Sequence, residues 1–364
     1  MFTLIEGGDV YAPERLGRAS ILLAGDRIAR VGPVDPERVA ALDLGLARVD
    51  AGGCVVIPGL IDPHEHLIGA AGEQGFASRT ADVTPAAIVG AGITTVVGCL
   101  GTDTTARHLT SLLAKTRQLE AGGISAWMFT GGFPVPPPTL TGSVRDDLIL
   151  IDKVIGVGEI AIADLRSSEP TVPEVARLVS EAYVGGTIAG KAGVTHFHTG
   201  PTGQRLGLLH AVLDQHDVPP DRLYPTHVNR SEELLDDAIS LAQRGAWVDV
   251  DTVEEEPARW LQTYYSRGGP PDRLTVSSDA QTLGGEPGKL LGCLVEAVRA
   301  RGIDLAQILP AFTSNVARAL HLAGRGSLRA GQAADVVVLD RARLEVVHVF
   351  ANGQWLVKER VYRE

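Results

Sequence analysis

Apolar and polar positions alternate in short runs at both ends of the chain, while longer runs of changing period fill its middle. Up to about residue 55, FTLIEGGDVY, SILLAGDRIARVG and ARVDAGGCVVIPG read as strands separated by Gly and Asp turns. Near the C-terminus DVVVLD, LEVVHVF and QWLVKERV repeat the period of two, and Ala351-Asn352-Gly353 supplies a hairpin turn between the last pair. Pairing the two ends predicts a small β-sandwich domain from residues 1–56 plus 328–364, closed around an insert spanning 57–327.

The insert alternates strand and helix. Its strand runs are VIPGLIDP, ITTVVGCLG, SAWMFTGG, VIGVGEI, VTHFHTG, RLYPTHVN, AWVDVDT and LTVSSDA. Between them lie helix-period runs such as HLTSLLAKTRQLEA, VPEVARLVSEAY, LLDDAISLAQRG and GKLLGCLVEAVRA. Eight such βα units predict an α/β fold, a (β/α)8 TIM-type barrel with its chemistry at the C-terminal ends of the strands. A doubly wound open sheet is the competing arrangement.

Charge and composition narrow the partners. A net charge of −11 without a basic cluster argues against nucleic acid, although a local arginine can still attract an anionic small molecule. No run approaches ~18 uninterrupted apolar residues, so no membrane span is expected. The opening MFTLIEGGDVYAPE lacks the basic flank and long apolar run of a signal peptide. Cys54, Cys99 and Cys293 are widely spaced with no CxxC pair, and all three read as reduced, buried small hydrophobes of a cytoplasmic protein.

The strand ends carry residues that bind metals. His64 and His66, two apart in GLIDPHEHL, point to one side of a strand. His198 ends THFHTG, His227 ends YPTHVN, Asp279 ends VSSDA, and Glu159 follows VIGVG. Ligands from five strands converging on one rim suit two divalent cations sharing a hydroxide nucleophile. An isolated His-x-His carries little weight, so the convergence makes the case. His196 is expected on the opposite face to His198, as a packing histidine. His108, His210, His216, His321 and His348 are expected to be structural or exposed.

This constellation resembles the amidohydrolase superfamily and, within it, the isoaspartyl dipeptidases (β-aspartyl peptidases). PGLID followed by His-x-His marks the superfamily, and VVGCLGTD, GISAW and PTHVNR mark the dipeptidases; the likeness covers nearly the whole chain. It implies hydrolysis of a small amide, with β-aspartyl dipeptides the best substrate class, by a hydroxide bridging two metals, expected to be zinc ions. The implied ligands are His64, His66 and Asp279 for the more buried metal, and His198 and His227 for the more exposed one. Asp279 would act as general base and then acid. Arg230 would grip the α-carboxylate of the aspartyl moiety, Arg166 the carboxylate of the leaving residue, and Glu73 the substrate ammonium, with Thr102 lining the pocket. The family also implies a homo-oligomer.

Three positions depart from the family pattern. Where many members have a carboxylated lysine bridging the metals, this chain offers Glu159; Lys153 and Lys191 precede their strands and should lie at the opposite rim. Phe133 stands where a tyrosine would polarise the scissile carbonyl, and a phenyl ring cannot donate a hydrogen bond. Leu283 replaces a serine that assists carboxylate binding, with Thr282 as a possible substitute. These changes leave open another amidohydrolase activity, such as deacetylation of an N-acyl amino acid or opening of a cyclic amide. A non-catalytic, metal-stabilised binding protein is the rival from another class, and retention of Asp279 argues against it.

Overall fold

The computed structural model describes residues 2–363. The N-terminal segment forms β1 (Phe2–Tyr11), β2 (Arg15–Ala24), β3 (Arg27–Gly32), β4 (Leu46–Asp50) and β5 (Cys54–Pro58). The insert contributes β6 (Leu60–Glu65), β7 (Ile93–Gly98), β8 (Ser125–Thr130), β9 (Val154–Ile162), β10 (Val194–Thr199), β11 (Leu223–Thr226), β12 (Val248–Asp251) and β13 (Leu274–Ser277). The C-terminal segment adds β14 (Val336–Asp340), β15 (Val346–Ala351), β16 (Gln354–Lys358) and β17 (Val361–Tyr362).

The two ends of the chain meet through β5 and β14, which run antiparallel with Ile57 opposite Val337. They build one mixed sheet of nine strands in the order β17-β16-β15-β14-β5-β1-β2-β3, with β4 also paired to β1. Ile5, Ile21, Leu23, Val336 and Phe350 pack into its own apolar cluster. Fully burying each such side chain is worth about 1.5–3 kcal/mol.

The insert's eight strand runs all form strands. β6 to β11 make a parallel arc in chain order, and β12 and β13 make a separate parallel pair. The arc is a half-barrel, and the ladder is not continuously closed. Both seams still carry backbone hydrogen bonds, from Trp247 N to Leu223 O (3.1 Å) on one side and from Asp279 N to His64 O (3.1 Å) on the other. β11, β12 and β13 have only four residues each, and the chain leaves two of them through left-handed residues, His227 at φ 60 and Asp279 at φ 47.

Alternation along the strands sorts side chains into two layers. Leu60, Val96 and Met128 pack in the cluster shared with the surrounding helices. Their neighbours Ile61, Val97 and Phe129 join Tyr224 and Trp247 in another. Helix starts are fixed by caps. Thr171 and Glu174 form a reciprocal capping box at the head of Val172–Ala189, which ends at left-handed Gly190. Ser231 accepts from Leu234 N at the head of Glu232–Gln243, which fixes where the preceding residue, Arg230, leaves the strand end.

Candidate metal centre and substrate cavity

All six strand-end ligand candidates are buried and meet at one place. Glu159 stands between two histidine pairs. Its Oε2 lies 3.4 Å from His64 Nε2 and 3.7 Å from His66 Nε2. Its Oε1 lies 2.5 Å from His198 Nδ1 and 3.2 Å from His227 Nε2. Asp279 Oδ1 closes the first group, 3.2 Å from His66 Nε2 and 3.4 Å from His64 Nε2. Two sets of ligand-type side chains therefore cluster, one of His64, His66, Cys99 and Glu159, the other of Glu159, His198 and His227. Only Glu159 belongs to both.

These residues fit a metal. His64 Nε2 and Asp279 Oδ1 are buried without a hydrogen-bond partner, a costly state for polar atoms that a cation would relieve. Imidazole with carboxylate is also the donor chemistry of zinc and its neighbours. The electrostatics agree. Burial works to raise the Glu159 carboxyl, but His64 and His198 hold it well below the ordinary carboxylate range. Burial works to lower His64, yet Cys99, Glu159 and Asp279 draw it well above the usual histidine value. This is a place where carboxylates gather positive charge. His198 is lowered, burial being the largest cause.

Behind the ligand candidates stand groups that orient them. Asp251, at the end of β12, accepts from His227 Nδ1 at 3.0 Å, so Nε2 is the nitrogen left facing Glu159. Asp164 Oδ2 lies 3.1 Å from His198 Nε2. Asp62 Oδ1 accepts from His64 N (3.3 Å) and Ser278 N (3.1 Å), joining β6 to the residue after β13. Burial pushes its carboxyl up to about 6.

Above the centre opens a cavity of about 280 Å³, whose lining includes His66, Glu159, His198 and Asp279. Glu73, Thr102, Phe133, Arg166 and Arg230 all line it too. Arg166 Nη1 is 3.2 Å from Glu73 Oε1, which also accepts from Thr102 Oγ1 at 2.9 Å. The Phe133 ring packs 4.6 Å from the His198 ring, with the Arg166 guanidinium 5.1 Å from its centre. Arg230 donates through Nε to Glu254 at 3.1 Å and through Nη1 to the Thr199 carbonyl. Leu283 also lines the cavity, and the Thr282 hydroxyl donates to the Asp279 carbonyl at 2.7 Å.

Several expectations need correction. His196 does not face away from His198. Residues two apart on a strand share a face, and the His196 ring lies 4.8 Å from the His64 ring, stacked on Phe129. It does pack as expected. Nδ1 meets the Tyr224 carbonyl at 2.9 Å, and burial, with His64 next, keeps the ring well below the usual histidine value. Cys54 is only partly buried. Cys99 is buried but is more than a packing residue, since its Sγ is 3.7 Å from His66 Nδ1. Lys153 pairs with Glu120, and Lys191 Nζ donates to the Leu148 and Ile151 carbonyls at 2.6 Å each; neither lines the cavity. The sequence reading missed Asp164, Asp251, Cys99 and the cavity residue Arg107. The carboxylate closing VDVDT was the available signal for Asp251, since it ends a strand as Asp279 nearly does.

The arc of parallel strands, the mixed sheet and the histidine–carboxylate centre together define an enzyme of the amidohydrolase superfamily. The comparisons give the family. The crystal structure of the β-aspartyl dipeptidase from thermophilic, keratin-degrading Fervidobacterium islandicum AW-1 matches with a TM-score of 0.95 and 36% identity, covering 100% of this chain and 99% of that one. The same enzyme in complex with β-Asp-Leu dipeptide matches with a TM-score of 0.95 and 35% identity, over 100% and 98% of the two chains. This chain belongs to the β-aspartyl dipeptidase family. Dihydropyrimidinase from Brevibacillus agri shares the fold, at a TM-score of 0.69 and 16% identity over 100% of this chain and 96% of that one. No family model matches the chain. Among curated proteins, adenine deaminase of Edwardsiella ictaluri is 40% identical over 67 residues, which is 18% of this chain and only 9% of that enzyme.

Proposed function

We propose that the protein hydrolyses β-aspartyl dipeptides at a centre of two divalent cations, zinc by donor chemistry, carried on an eight-stranded barrel made by the arc and the strand pair. The division of the Glu159 oxygens between two histidine pairs carries the reading. On it, His64, His66 and Asp279 would hold one cation, His198 and His227 would hold the other, and Glu159 would serve both. Bound cations of this kind supply Lewis-acid activation of water at neutral pH.

The chain's own groups do the rest. Asp279 accepts the proton of the attacking water through the carboxylate oxygen that the cation does not use, and passes it to the leaving nitrogen. Arg230 and Arg166 bind the two carboxylates of the substrate, and Glu73 binds its ammonium in place of the Arg166 contact seen here. Cationic and anionic side chains on one small cavity select a zwitterion of dipeptide size. A relative that is similar over its whole length and holds β-Asp-Leu supports this class. Phe133 favours a second reading, another small amide, because its ring turns no hydroxyl toward the scissile carbonyl.

A substrate panel decides between them. Zinc-loaded protein should cleave β-Asp-Leu and leave α-Asp-Leu, N-acetyl amino acids and cyclic amides largely untouched, with activity lost to a chelator and restored by zinc. Preferential turnover of an N-acyl amino acid or a cyclic amide would establish the second reading instead.

A further inference from the structure

Asp164 follows the left-handed residue Ala163 just beyond β9 and is buried to within 4% of its surface. Every hydrogen bond of its carboxylate goes to the site. Oδ1 accepts from Arg166 N at 2.8 Å and Arg166 Nε at 2.9 Å. Oδ2 accepts from Arg166 Nη2 at 2.8 Å and lies 3.1 Å from His198 Nε2. One acid thus touches a ligand candidate of the metal centre and a binding candidate of the substrate pocket.

We propose that Asp164 is a positioning residue that couples the His198 side of the metal centre to the Arg166 carboxylate grip. The inference rests on the dipeptide reading above and deepens it. His198 presents Nδ1 to Glu159, so that nitrogen must keep its lone pair for a cation and the ring proton must sit on Nε2. Arg166 Nη2, 3.0 Å from Nε2, and Arg230 Nη1, 3.3 Å from it, can only donate and cannot hold that proton. Asp164 Oδ2 is the acceptor that fixes the tautomer, as Asp251 does for His227 through the other nitrogen. The same carboxylate takes Nε and Nη2 of Arg166 in a fork, which leaves Nη1 directed toward Glu73 and the cavity. Asp251 touches no arginine side chain among the described residues; its remaining bonds are to backbone and Asn229 groups. It is therefore the natural control.

The test uses the full chain as Asp164→Asn, Asp164→Glu and Asp251→Asn, each checked for an unchanged circular dichroism spectrum. An amide offers one acceptor where the carboxylate offers two, and turns a donor toward either His198 or Arg166. Zinc titration of the apo-protein should show the weaker equivalent bound at least tenfold less tightly in Asp164→Asn. The preference of kcat/KM for β-Asp-Leu over its C-terminal amide should also fall about tenfold, chiefly through KM. Asp164→Glu keeps the charge but moves it by a methylene, and should lose part of both, which keeps the test open should the asparagine variant not fold. Asp251→Asn should weaken zinc while keeping the preference. Unchanged zinc affinity and preference in Asp164→Asn, or an equal loss of preference in Asp251→Asn, would overturn the coupling. A wild type indifferent to the amide would remove the dipeptide reading and the proposal together, and is told apart by appearing without any substitution.

Discussion

Arg230 reaches the cavity from the residue before a capped helix, already held by Glu254 and the Thr199 carbonyl. A guanidinium fixed on two sides presents its remaining donors with little entropy to lose, which is how an arginine reads a carboxylate. Desolvated charge-assisted contacts of this kind are worth ~2–5 kcal/mol. Replacement of Arg230 by Met should therefore lower kcat/KM for β-Asp-Leu by roughly 10² or more. Dipeptides whose aspartyl α-carboxylate is blocked should be poor substrates of the wild type and lose little further in the variant. Equal turnover of blocked and free dipeptides by the wild type would remove Arg230 from this role. The residue scale also shows what a strand-end reading can and cannot see. The clustering of His64, His66, His198, His227 and Asp279 was legible because metal-ligand types coincided with the ends of apolar runs. Asp164 was not, because a lone carboxylate after a strand looks the same whether it faces water or a buried histidine nitrogen.

Between the strands, the loop after β6 carries Glu73 and is fastened at its neck. Arg107 is buried, and its Nε and Nη2 donate to the carbonyls of Ile68 and Thr80, at 3.1 and 3.2 Å. Thr80 in turn holds Ala70 N through Oγ1 at 2.7 Å and donates to the Gln281 carbonyl. Removing the arginine leaves two carbonyls without these donors, each worth about 1–3 kcal/mol when buried. Arg107→Ala should accordingly speed hydrogen exchange across residues 68–80 and raise KM several-fold, with kcat changed less. Unaltered exchange in that loop would show that the neck does not depend on Arg107. Element existence was the most legible level of the fold, since all eight apolar runs of the insert became strands in order. Closure of the ring was not legible. Hydrophobic period gives strand order but not the number of ladder bonds, and the seams beside the β12–β13 pair hold only isolated backbone bonds. The face of His196 was misread for a simpler reason, parity along the strand.

Across the whole molecule, a mixed sheet built from both chain ends encloses the segment that carries the centre, and β5 runs almost directly into β6. The sheet thus anchors the first strand of the arc one residue before the run that ends in His64 and His66. At the middle of that assembly Glu159 stands between two histidine pairs, and the proposed reading has it serve two cations there in place of a carboxylated lysine. A glutamate bridge needs no carbon dioxide, and a neutral amide in its place would leave two cations poorly shielded from each other. The measurement closest to this claim is elemental analysis of apo-protein reloaded with zinc in bicarbonate-free buffer, for the wild type and for Glu159→Gln. The account expects two equivalents per chain in the wild type, unchanged by added bicarbonate, and a marked loss in the variant. One equivalent that excess zinc cannot raise, a requirement for bicarbonate, or a full complement in Glu159→Gln would contradict it.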